Sequence, residues 1–188
     1  MTVDALGVRR LTAAGWEADR TQPHRNNRLR YAEFLSWLHQ DLGNSERTID
    51  SVRNALDGIG SDPSPWGVWL NASYVEVHRA QGLEVLGRHD QAAEAFADAI
   101  WLRPDDYHRD RGVYLARQAV ALAGARDPER AATVGMSALT IASDTGSGRI
   151  TNELARLDTA LIPRRRQTPV AEFRAAFDST LAHETKDA

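Results

Sequence analysis

Leu86-Gly87-Arg88-His89-Asp90-Gln91-Ala92-Ala93-Glu94-Ala95-Phe96-Ala97-Asp98-Ala99-Ile100-Trp101-Leu102-Arg103-Pro104 is the stretch that decides the fold. Gly87 follows an apolar residue closing one helical run, where a tight helix exit needs a left-handed residue. The next run carries Ala92, Phe96 and Ala99 at helical spacing, on one face. Pro104 stops it, because proline lacks the amide donor that a helix interior requires. In the preceding helix Ala80 and Leu83 share a face. Ala80, Ala92 and Ala99 are small where two helices touch, and Leu83 and Phe96 fill the space left over. The segment 73–104 therefore reads as an antiparallel helix pair.

The pattern extends in both directions. Upstream, Leu35, Gly43, Val52, Ala55 and Gly60 fall in register with Arg79, Gly87, Phe96, Ala99 and Pro104, while Ser36 and Thr48 replace the two small alanines. Downstream, Ala119, Leu122, Ala131 and Ala138 correspond to Ala80, Leu83, Ala92 and Ala99. There Gly135 stands where Phe96 would be, and Arg126 takes the place of the turn glycine. A fourth pair over 148–183 keeps only the helix–turn–helix form. Gly87, Ala92, Phe96, Ala99 and Pro104 together resemble the tetratricopeptide repeat, which implies an all-α, tetratricopeptide-like α-solenoid of about three and a half irregular repeats.

Longer stretches carry a narrower resemblance. Arg30-Tyr31-Ala32-Glu33-Phe34-Leu35-Ser36-Trp37-Leu38, Asp41-Leu42-Gly43, Arg109-Asp110-Arg111-Gly112-Val113-Tyr114-Leu115-Ala116 and Ser147-Gly148-Arg149 resemble one regulator family. It is the C-terminal, tetratricopeptide-like sensor region of actinobacterial helix-turn-helix transcriptional regulators, matched over about 28–182. The resemblance implies a helical array that senses a ligand or partner. The DNA-binding domain of such regulators has no counterpart, since residues 1–27 are too few for three helices, and direct nucleic-acid binding is not expected.

Helices are expected over 28–42, 45–58, 66–86, 89–102, 108–125, 128–143, 148–162 and 169–183. Asp127-Pro128 and Thr168-Pro169 place a capping side chain before a proline at the first helical position, and Ser147 caps the run from Gly148. The organisation expected is a lead-in over 1–27, an array over 28–183 and a frayed tail over 184–188. Composition narrows the chemistry. The 188 residues include no cysteine, which excludes disulfides, thiolate metal sites and thiol nucleophiles. A net charge of −3 gives no global footprint for nucleic acid, although Lys186 is the only lysine among 23 basic residues, so the rest are bidentate arginines. With no run of about 18 apolar residues and no apolar leader, the expectation is a cytoplasmic chain that does not engage membranes.

In a stacked array the first helix of each pair lines the concave side. Helical spacing puts Arg30, Glu33, Trp37, Gln40 and Asp41 there in one unit, Tyr74, Val77, Gln81 and Glu84 in the next, and Val113, Ala116, Arg117 and Val120 in the third. Such a surface suits a peptide, a protein segment or a small-molecule ligand. Trp37 and Tyr74 read more readily as packing between units than as ligand platforms, and Arg30 and Arg117 equally as carboxylate grips or ordinary ion pairs. Trp66, Trp69 and Trp101 read as packing residues against the proline-rich linker.

An enzyme or accessory protein acting on a small molecule, with His39 or Glu33 as acid–base group, is the rival reading. It lacks a catalytic motif. The six histidines are scattered, and no two sit three or four residues apart, so neither a metal site nor another cofactor is expected. His108-Arg109-Asp110-Arg111 lacks every companion of a kinase loop, and Gly146-Ser147-Gly148 has no strand before it. Arg164-Arg165-Arg166 reads as a solvated turn. Phe173, Phe177 and Leu181 read either as the core of the last pair or as the seam of a homodimer.

Overall fold

The computed structural model describes residues 72–103 and 107–184, all within the second of the two units into which the chain divides, Asn71–Ala188. The helices expected over 28–42 and 45–58, and the start of the one expected from 66, lie outside the described residues. The described residues form α1 (Ala72–Val85), α2 (His89–Trp101), α3 (His108–Gly124), α4 (Pro128–Thr145), α5 (Gly148–Leu161), a 3-10 turn (Ile162–Arg164) and α6 (Thr168–Glu184). There is no strand among them. The all-α expectation holds for these residues, with helix ends within about two residues of those read from the sequence.

The two tight turns are built alike. At Gly87 φ is 72°, its N–H donates to the Glu84 carbonyl at 3.0 Å, and Arg88 N–H donates to Leu83 at 2.9 Å. At Arg126 φ is 65°, its N–H donates to Ala123 at 3.1 Å, and Asp127 N–H donates to Leu122 at 3.0 Å. Both exits thus return two orphan carbonyls of the preceding helix to hydrogen bonding. Arginine does this at a steric cost, because its Cβ crowds the carbonyl in the left-handed region. Arg126→Gly is therefore expected to stabilise the fold by about 1 kcal/mol, somewhat offset by the freer unfolded chain. A higher urea midpoint with an unchanged slope checks this.

The start of α4 is held by a side-chain cap. The Asp127 carboxylate accepts the Arg130 N–H at 3.3 Å, and Pro128 occupies the first helical position. Ser147 differs from expectation. Its side chain makes no cap bond, and its carbonyl instead accepts the N–H groups of Ile150 and Thr151. Gly146, left-handed at φ 59°, ends α4 by donating to Ala142 at 2.9 Å.

α1 packs on α2, α2 on α3, α3 on α4 and α5, and α4 on α5 and α6. Ala80, Ala92 and Ala99 are fully buried, as are Ala119, Ala131 and Ala138, so both pairs close on the small residues read from the sequence. Leu83, Leu122 and Phe96 fill the intervening space. Two side chains tie neighbouring helices to the α2 backbone: Ser73 Oγ donates to Ala99 O at 2.7 Å, and Gln118 Nε2 to Ala93 O at 3.3 Å.

Gly135 departs from the first pair in a revealing way. A Cβ there would lie 2.5 Å from Leu157 Cδ2 and 3.0 Å from Phe173 Cε2. The room that a phenylalanine takes inside the first pair is thus filled here by α5 and α6. Phe173 is fully buried and stacks on Phe177 at 5.9 Å. Both rings are core of this chain and are not available as a dimer seam. Trp101 corrects another expectation: it is 86% exposed and does not pack as read from the sequence. It stands two residues past Ala99, which turns it to the opposite side of α2 from the buried stripe.

Candidate functional site

α1, α3 and α5 each present a polar stripe. On α1, Tyr74, His78, Gln81 and Glu84 follow one another at helical spacing, and the Tyr74 and His78 rings meet edge to face at 4.6 Å. On α3 the stripe is Asp110, Tyr114 and Arg117. On α5 it is Glu153 and Arg156.

Ion pairs stitch these stripes together. Arg117 Nε donates to Glu153 Oε1 at 2.8 Å. Arg156 Nη1 donates to Glu153 Oε2 at 2.6 Å, and its Nη2 reaches Glu84 Oε1 at 3.1 Å. Glu153, 13% exposed, thus holds two guanidinium groups with its two oxygens. Burial pulls the Arg156 pKa down, but hydrogen bonding and charge from Glu153 and Glu84 outweigh it and leave it raised. The network brings Glu84 and Arg117, both read from the sequence, onto one continuous surface. It also recruits Glu153 and Arg156, which the sequence reading did not single out.

A second cluster sits where α2 hands over to α3. Arg103, its side chain only 9% exposed, donates Nη1 to the Tyr114 hydroxyl at 2.8 Å and Nη2 to Asp110 Oδ2. Its guanidinium also lies over the rings of Tyr107 (4.6 Å) and Tyr114 (5.0 Å). Burial raises the Tyr114 pKa, while the Arg103 charge opposes the rise. A raised folded value means that the group's contribution to stability is complete below the ordinary tyrosine value of about 10 and is lost as pH rises through the folded one. Wild-type stability should therefore fall above about pH 10 more steeply than that of Tyr114→Phe, read from urea midpoints on either side of that pH.

Tyr74 and Gln81 are half-buried on the α1 stripe. Val77, 3% exposed, belongs to the core and not to the accessible surface, because it stands one helical turn before Ala80 on the face turned to α2. Val113 and Ala116 are buried as well. Arg30, Glu33, Trp37, Gln40 and Asp41 lie outside the described residues, as does His39.

Arg164, Arg165 and Arg166 are exposed on the turn between α5 and α6. Among the described residues no group of three His, Cys, Asp or Glu side chains could hold a metal ion, and no helix is long and apolar enough to cross a membrane. The stripes gather donors, acceptors and aromatic edges on α1, α3 and α5. No family model matches the chain, and no curated protein or solved structure matches it significantly.

Proposed function

We propose that the chain is a tetratricopeptide-like binding module, an irregular α-solenoid whose first helices, α1, α3 and α5, line a concave face that recognises a peptide, a protein segment or a small molecule. In this reading it serves transcriptional or biosynthetic regulation in the cytoplasm, as the resemblance of its sequence to regulator sensor regions implies. The observation that carries the reading is the Glu84–Arg156–Glu153–Arg117 network, which joins the same polar face of the three first helices. Supporting it, the turn geometry and the buried alanines of the first pair recur 39 residues on, from Gly87 to Arg126. A period in that range is what stacked helix pairs require.

Selection of peptides from a random display library, beside a thermal-shift screen of small metabolites, supplies the ligand for the test. Tyr74→Ala combined with Gln81→Ala should weaken the selected ligand at least about tenfold, or ~1.4 kcal/mol, with the far-UV spectrum unchanged. Undiminished binding in that variant, together with loss on replacing Arg164, Arg165 and Arg166 by alanine, places recognition elsewhere and overturns the reading.

A further inference from the structure

The Glu84–Arg156 pair spans 72 residues of sequence and connects two helices, α1 and α5, that share no extended packing. α1 is held by α2, and α5 by α3 and α4. The ends of α1 and α5 nearest this pair are therefore tied by long side chains and not by an apolar seam. Arg156 is preset for the contact, because Glu153, one turn earlier on the same helix, fixes its other amino group at 2.6 Å. Glu153 is itself anchored from α3 by Arg117 at 2.8 Å. Arg156 is 56% exposed, so water and ions reach the bond.

From this arrangement we propose that Glu84–Arg156 is an electrostatic clasp that closes the polar face between α1 and α5 and sets how wide that face stands open. The proposal rests on the array reading above and adds a device to it. An exposed ion pair favours its closed state only by about two- to fivefold, which suits a closure that must yield when a ligand enters. Because Arg117 and Arg156 share Glu153, releasing Glu84 leaves Arg156 held on α5 and frees α1 alone. The moving part is thus the C-terminal end of α1, Glu84 and Val85, with the turn at Gly87 as its hinge.

The absence of cysteine makes the test direct. Spin labels at Val85→Cys and Thr159→Cys, both exposed, report the separation of α1 and α5 by dipolar electron paramagnetic resonance in the full chain. At low salt the parent pair should show a dominant short interspin distance. Arg156→Gln should move the population to a longer, broader distribution, with the short fraction reduced about two- to fivefold. About 1 M NaCl should do the same to the parent and add nothing to Arg156→Gln, because the screened bond is then already absent. One short distance, unchanged by both the substitution and salt, overturns the clasp. That measurement involves no ligand, so the clasp can fail while the binding test above still succeeds.

Discussion

Phe173→Ala is expected to destabilise the fold by about 3–5 kcal/mol, the range for emptying a fully buried phenylalanine site. The reason lies in Gly135. In the first pair Phe96 fills the gap between its own two helices, but the second pair has only hydrogen at the matching position. Its gap is filled from α6 by Phe173, with Phe177 stacked behind and Leu157 beside it. Removing the ring leaves a hollow lined by backbone and fixed apolar groups, and α4 cannot close it without breaking its contacts to α3. Against a typical stability of about 5–15 kcal/mol, such a loss is large, and equilibrium urea unfolding followed by circular dichroism measures it.

The reverse substitution should be nearly as damaging. Gly135→Phe restores the residue that the first pair carries, yet it is expected to cost about 3 kcal/mol or more through overpacking. A Cβ alone already overlaps Leu157 and Phe173, and a ring has nowhere to go. The two substitutions occupy one space, so they should not add. Gly135→Phe in the Phe173→Ala background should be substantially less harmful than the sum of the two single effects, with a coupling of about 1–3 kcal/mol by double-mutant cycle. Simple additivity would mean that the two sites do not share the hollow.

These residues also show where the sequence was readable. Helix ends from the close of α1 onward are legible because turns and caps are local: a left-handed residue at 87 or 126 and Asp127-Pro128 act within a few positions. Burial of Ala80, Ala92 and Ala99 followed from spacing alone. The Phe173 solution was not legible, because nothing near Gly135 announces a ring donated from a helix two elements later. The site divided in the same way. Glu84 and Arg117 were found by helical periodicity, but their link through Glu153 and Arg156 depends on tertiary placement of long side chains. Val77 was misplaced for a simpler reason: its one-turn spacing from Ala80 already assigned it to the inner face. Arg103 went unnoticed because its value comes from Tyr114 and Asp110 on the next helix.

In the proposed function α1, α3 and α5 share one recognition face. Amide chemical-shift mapping with a ligand selected as described tests it most directly. Perturbations concentrated at Tyr74, Gln81, Arg117 and Glu153 are the predicted result; perturbations confined to α2, α4 and the arginine turn 164–166, with those four residues silent, would contradict it.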